Sequence, residues 1–223
     1  MWRDGVLVAG KDLRIEARSR VALSQVAPFG IVALGLFAFA LGPDRAPMAK
    51  GAPGLFWVAV LFSTVLAVQR SVSVEAVDGA RDGLRLSGLG PAGLFLGKTA
   101  AVAAQLLLLE VVLGVGVVVL YGAKVETLWL IVVACLLGTV GLAAAGTLYG
   151  ALSAGLRVKE TLLPFLLLPV VAPVLLAGTR IWQAGLAGGT PGDGSPWIRL
   201  LLAFDAVYLA LGVVVYGPMQ EAA

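Results

Sequence analysis

The stretch TLWLIVVACLLGTVGLAAAGTLYGALSAGL, Thr127 to Leu156, is thirty residues long and carries no charge. As a helix it would extend about 45 Å at 1.5 Å per residue. A bilayer's hydrocarbon core is about 30 Å thick and is crossed by roughly 20 apolar residues. The stretch is therefore read as a membrane-spanning helix with length to spare. The same test finds five more on either side of it. Val21 to Leu41 and Gly51 to Gln69 are uncharged, and Thr99 to Ala123 carries only Glu110. Thr161 to Thr179 is uncharged but holds Pro164, Pro169 and Pro173, and Leu200 to Gln220 carries only Asp205. The expected fold is an all-α integral membrane protein with six transmembrane helices in one domain, residues 21–220. The spans fall at about 21–41, 51–69, 99–123, 127–156, 161–179 and 200–220.

Composition agrees. Of 223 residues, 60% are apolar and 13% charged, and mean hydropathy is +0.98. A soluble domain carries about 25% charged residues, so this chain has too few polar side chains to cover a water-facing surface. Disorder is excluded too, because it needs low hydrophobicity and high charge. The chain has no histidine, which removes the commonest general base, the commonest metal ligand and a usual haem ligand. Its single cysteine, Cys135, can form no intrachain disulfide or zinc site. In an apolar span it reads as filler. The basic surplus is scattered between spans with no aromatic interleaving, which argues for membrane orientation and against nucleic acid as a partner. With the N-terminus inside, 11 Lys and Arg fall on the cytoplasmic side and 5 outside. That asymmetry puts both termini in the cytoplasm.

Residues 1–20 precede the first span as a cytoplasmic amphipathic helix. Trp2, Val6, Ala9, Leu13 and Ala17 share one arc; Arg3, Lys11, Arg14 and Arg18 share another. Such a helix suits the headgroup layer of the lipid bilayer. Two readings remain open: a topology anchor, or an elbow docked on the bundle or on a partner. A cleaved leader fits less well, because the apolar run before Ala38-Phe39-Ala40 exceeds the roughly 7–15 residues of a signal core.

The largest inner segment, Arg70 to Lys98, contains Glu75-Ala-Val-Asp78-Gly79-Ala-Arg81-Asp82-Gly83-Leu84-Arg85. Asp78 with Arg81, and Asp82 with Arg85, are i,i+3 pairs on a short amphipathic element. A docking helix for a cytoplasmic partner is the preferred reading over a solvated loop. Gly93-Leu-Phe-Leu-Gly97-Lys98-Thr99 imitates a phosphate-binding loop, but the first required glycine falls on Ala92 and no strand precedes it. Leu86-Ser87-Gly88-Leu89-Gly90 imitates an ABC ATPase signature without a nucleotide-binding fold around it. ATP hydrolysis is therefore not expected of this chain.

Four features, in this order, resemble the CcmB family of haem-exporter permeases. They are Ala52-Pro53-Gly54-Leu-Phe-Trp57-Val-Ala, Glu75-x-x-Asp78-Gly79 leading to Leu84, Lys98 at the third span, and Leu168-Pro169-Val-Val-Ala-Pro173-Val-Leu. The resemblance runs nearly end to end. It implies an ABC-2-type permease-like fold with an N-terminal elbow helix, in a bacterial inner membrane, that is not itself an enzyme. It implies a complex with a cytoplasmic ATPase subunit, CcmA, the membrane subunits CcmC and CcmD, and through them the haem chaperone CcmE. ATP would be bound by the partner, and haem handled by the complex, with no cofactor held directly by this chain. The segment 70–98 would be its coupling loop, with Glu75, Asp78, Gly79, Asp82 and Leu84 as its contact residues. The family often has a proline where this chain has Ser87-Gly88, which leaves the end of the coupling element open. The alternatives are an ABC-2-type permease for a lipid, polysaccharide or drug, a metal-dependent membrane enzyme, and a passive scaffold.

Glu110 lies 12 residues after Lys98 and 14 before Lys124, near mid-bilayer, where an ionisable group is a functional candidate. Asp205 is expected closer to an interface, six residues from Arg199. Pro164, Pro169 and Pro173 suggest a kinked or interrupted helix, with a hinge that transmits motion and static packing as the two open readings. Gly146-Thr-Leu-Tyr-Gly150 is a small-x-x-x-small face for close helix packing. The outer segment Arg180 to Arg199 is Gly- and Pro-rich, with Trp182 and Trp197 read as interfacial belt residues and a reentrant turn facing other subunits as the alternative.

Overall fold

A computed structural model describes residues 1–19, 24, 26–42, 45–75, 88–154 and 159–222. Among these residues the chain is all helical, with seven helices: α1 (Trp2–Ser19), α2 (Ala27–Leu41), α3 (Arg45–Glu75), α4 (Pro91–Tyr121), α5 (Leu128–Ala154), α6 (Lys159–Leu186) and α7 (Pro191–Ala222). Helices α3 to α7 are long and apolar enough to cross a membrane. α2 has 15 described residues, about 22 Å of helix, and is a shorter apolar helix. The expected first span is thus represented by its C-terminal part, since residues 20–23 and 25 lie outside the described residues.

Most helices overrun the charge-bounded spans, for local reasons. α4 starts eight residues early because Pro91, whose fixed φ suits the first helical position, follows an extended Gly90. It ends where Gly122 turns left-handed at φ 61°. α7 starts nine residues early. Its first turn carries half of a capping box: the Thr190 N–H and hydroxyl both donate to Asp193 Oδ2, at 2.8 and 2.9 Å, while the Asp193 N–H donates to the Thr190 carbonyl. The segment read as a Gly/Pro-rich outer loop is accordingly mostly helix. α6 runs to Leu186, and the link to α7 is short and turns at Gly188.

In lipid, apolar surface gives helices no reason to associate, so close packing must supply it. α5 is the hub and touches α3, α4, α6 and α7. Trp57 of α3 fills the space left by two glycines, Gly138 of α5 and Gly178 of α6; a Cβ at either would run into its ring. Beside it Phe56 stacks on Trp182, with centroids 3.9 Å apart. Trp182 is therefore a core residue, only 3% exposed, and not an interfacial one. Its position follows from the extra turns of α6 beyond Thr179. Gly146 and Gly150 receive Val68 of α3, where added Cβ atoms would lie 2.8 and 2.6 Å from its methyl groups.

α6 passes through all three prolines as one helix. Leu163, Leu167, Val171, Val174, Ala177 and Ile181 are buried along it, while Pro169 and Pro173 are exposed on the other side. The outward residues of the bundle are otherwise large and apolar, as at Val119, Phe165 and Val214. That is the surface a bilayer covers.

α1 packs lengthwise on α4. Asp4 lies against Gly93, Gly5 and Val8 against Gly97, and Asp12, Ile15 and Glu16 share a small cavity with Ala101, Val102 and Gln105. The Gly90 N–H, at the start of α4, donates to Asp4 Oδ2 at 3.4 Å, where a carboxylate also suits the helix dipole. Gly93 and Gly97, the glycines that imitate a phosphate loop, are thus the seat of the elbow helix. Trp2, Val6 and Leu13 point away from it and are exposed. α2 continues along the second half of α4: Gly30 meets Leu113, and the Tyr121 hydroxyl donates to the Leu34 carbonyl at 2.8 Å.

A side chain at position 97 should separate the two helices. Its Cβ alone would lie 2.6 Å from the Gly5 carbonyl oxygen and 2.7 Å from Val8 Cβ. Gly97→Val is expected to cost about 1–3 kcal/mol, as overpacking does. It should also speed proteolysis of the N-terminal segment in proteoliposomes. Gly114→Ala, where an added Cβ meets nothing within 4 Å, should behave as wild type.

Candidate functional site

Two groups of residues need a location: the acidic segment between α3 and α4 and the two carboxyls within the apolar helices. Glu75 is the last residue of α3. Asp78, Gly79, Asp82 and Leu84 lie outside the described residues, as does the segment 76–87 as a whole. What the fold fixes is where that segment is anchored. It leaves the end of α3 and returns at Gly88, just before the α4 N-terminus that Asp4 of α1 meets. The end of α5 and the start of α6 reach the same side: Ser153 and Leu163 share a cavity with Gln69, Val72 and Ser73 of α3.

Glu110 is 4% exposed on α4. Its Oε1 accepts a hydrogen bond from the Thr139 hydroxyl of α5. Cys135, one turn before Thr139, faces the same carboxyl. The second oxygen, Oε2, has no hydrogen-bond partner among the described residues. Glu110 and Thr139 thus form a polar link between two spans. Thr139 is a site residue that sequence reasoning missed; a lone threonine in an apolar span gives no signal of its own. The lone cysteine packs beside this link.

Asp205 sits near the middle of α7, not close to an interface, because the helix begins at Pro191, eight residues before Arg199. It is 6% exposed and projects at Gly141 of α5, where a Cβ would come within 2.7 Å of Oδ1. That oxygen has no hydrogen-bond partner among the described residues. Glu110 and Asp205 approach α5 from different neighbours, α4 and α7, at Thr139 and Gly141, which lie 200° apart around the helix. They form two separate contacts and not a carboxylate pair. Among the described residues no three His, Cys, Asp or Glu side chains come together in a way that could hold a metal ion. The phosphate-loop imitation lies on α4 against α1, and no nucleotide cradle forms there.

The sequence profile of the family described as "CcmB protein" matches residues 5–217, from α1 into the last turns of α7. The chain belongs to the CcmB family. Among CcmB relatives, "Heme exporter protein B" of Paracoccus denitrificans is 30% identical over 185 residues, 81% of this chain and 83% of that protein. The protein of the same name from Haemophilus influenzae is 29% identical, with 78% and 79% covered. That of Pseudomonas aeruginosa is 28% identical, with 88% of each covered. The family match includes the elbow helix, the buried carboxyls and the proline-bearing α6.

An ionised carboxylate at this depth without a partner costs about 2.5–3.5 kcal/mol on insertion scales. Gln at position 110 keeps an acceptor for Thr139 and removes the charge. Glu110→Gln is therefore expected to leave the chain level and thermal unfolding in detergent unchanged. Glu110→Ala strands a buried hydroxyl and should lower stability by roughly 1–3 kcal/mol. Melting curves followed by size-exclusion chromatography would show the difference.

Proposed function

We propose that this chain is the membrane permease subunit of an ABC complex in the bacterial cytoplasmic membrane that serves cytochrome c biogenesis. It couples ATP hydrolysis in a separate subunit to haem export or to release of a haem chaperone. The observation that carries this reading is the CcmB-family match over residues 5–217, supported by relatives named "Heme exporter protein B" along most of their length. The partners would be a CcmA-type ATPase on the cytoplasmic face, with CcmC- and CcmD-type membrane subunits and a CcmE-type chaperone. Both termini lie in the cytoplasm, in keeping with the 11-to-5 distribution of basic residues.

The segment around Glu75, Asp78, Gly79, Asp82 and Leu84 is the coupling element in this mechanism. Its anchors support the role, since it is fastened to α3 on one side and to α4, beneath the elbow helix, on the other. A push on the segment would load both spans at once, and the polar Glu110–Thr139 link ties α4 to α5. Pro164, Pro169 and Pro173 interrupt the hydrogen-bond ladder of α6 and serve as its hinge. The chain holds no haem ligand of its own in this scheme. With no histidine in the sequence, iron ligation falls to other subunits.

Replacing Asp78 and Asp82 together by lysine reverses the charge of the coupling face without touching a span. The double variant is expected to stay in the membrane at normal level while the yield of mature cytochrome c falls at least tenfold. ATPase activity of the purified complex should no longer respond to the chaperone. Normal cytochrome c yield in the double variant would overturn the assignment of the loop.

A further inference from the structure

The charges of α1 are sorted by side. Its three acids are already engaged. Asp4 meets the amino terminus at 3.3 Å and accepts from the Gly90 N–H of α4. Asp12 holds the Lys11 ammonium at 3.0 Å. Glu16 accepts from the Ser19 hydroxyl at 3.4 Å. Asp12 and Glu16 also line the small cavity against α4. Arg14 and Arg18 lie on the other side of the helix. Both are exposed, and among the described residues neither meets an acid.

The two arginines stand one turn apart, about 6 Å along the axis. They border a groove of about 460 Å³ on the outward face of α1. Val6, Leu7 and Ile15 give it apolar walls, and a Cβ added at Gly10 in its lining would meet nothing within 4 Å. No described acid lines it. The exposed Trp2, Val6 and Leu13 lie about a third of a turn around the helix from the arginines, at roughly 100° per residue. The outward half of α1 is thus divided lengthwise into an apolar flank and a cationic one. Its seat on α4 runs from Gly90 to Gln105, to either side of Lys98, the charge that precedes the apolar span. That is headgroup depth, where an apolar flank enters the acyl boundary and a cationic one meets phosphates.

We propose that the outward face of α1 binds an anionic phospholipid. Its phosphate lies between the Arg14 and Arg18 guanidiniums, whose planar forks of donors match phosphate oxygens. Its acyl chains lie beside Val6 and Leu13. A zwitterionic lipid is disfavoured, because it brings an ammonium and the groove has no acid to receive it. Lys11 adds little, since Asp12 already holds it. Every lipid offers chains; the distinguishing feature here is two unneutralised cations one turn apart beside an apolar flank. That flank favours the bilayer over an acidic segment of a protein partner. The inference is independent of what the complex transports.

The full chain, purified in mild detergent from nanodiscs containing equal phosphatidylglycerol and phosphatidylcholine, is suited to native mass spectrometry. We expect phosphatidylglycerol to be retained at least fivefold over phosphatidylcholine. Replacing Arg14 and Arg18 together by glutamine should cut that preference at least threefold, with an unchanged elution volume. Lys50→Gln combined with Lys124→Gln removes the same charge at the opposite ends of α3 and α4 and should leave the preference unchanged. In membranes containing the whole complex, photoactivation of Gly10→benzoylphenylalanine should yield a phosphatidylglycerol adduct. Equal retention of the two lipids by the wild type would overturn the proposal, as would wild-type preference in the arginine double variant. An equal fall in the lysine control would overturn it too, by showing that any cation serves. So would a protein adduct at position 10, by showing that a partner covers this face.

Discussion

The structure depends on backbones coming close enough to pack in a solvent that does not push them together. Water drives apolar helices into contact, but lipid does not. Here the contacts that hold the bundle are made where a side chain is missing. Trp57 occupies the place where Gly138 and Gly178 lack a Cβ, Val68 occupies that of Gly146 and Gly150, and α1 lies on Gly93 and Gly97. In each case one bulky or backbone group faces a glycine, so contact comes from shape and the many small dispersion terms it allows. The arrangement joins α3, α5 and α6 around one indole. The hydrogen bond between Glu110 and Thr139 fastens α4 to the same central helix, and Asp205 of α7 packs into the space left at Gly141.

The class of the fold was legible because charge is scarce and its spacing matches bilayer thickness. The long uncharged run at Thr127–Leu156 contains the whole of α5, Leu128–Ala154. Helix ends were harder to read. A hydropathy boundary marks where the hydrocarbon stops, while a helix stops where its capping chemistry does. Thr190-Pro191-Gly-Asp193 carries the local signal for the start of α7, yet it stood inside a segment whose glycines and prolines suggested a loop. Trp182 shows the same limit. Its chemistry suits an interface equally well, and only the contact with Phe56 decides between the two.

The site was legible in part. Glu110 announces itself as a charge in an apolar span, but its partner Thr139 is 29 residues away on another helix. Nothing in the spacing of either residue links them. Gly141 is similar: it becomes informative only once Asp205 is seen to need its empty face. The glycines of the phosphate-loop imitation carried a real signal of close approach, but what approaches is a helix of the same chain.

That last contact has a consequence for the order in which the chain is built. Asp4 and Gly90 are 86 residues apart, and synthesis proceeds at roughly 5–20 residues per second. The elbow helix therefore leaves the ribosome several seconds before its seat on α4 exists. In the interval two apolar helices must be delivered to the translocation machinery. The exposed stripe of Trp2, Val6 and Leu13 gives α1 a provisional berth at the membrane surface during the wait. The same residues remain outward after docking, so the berth need not be given up when Gly93 and Gly97 arrive. The N-terminal helix is made first, but it can be seated only after α2, α3 and the start of α4 have followed it.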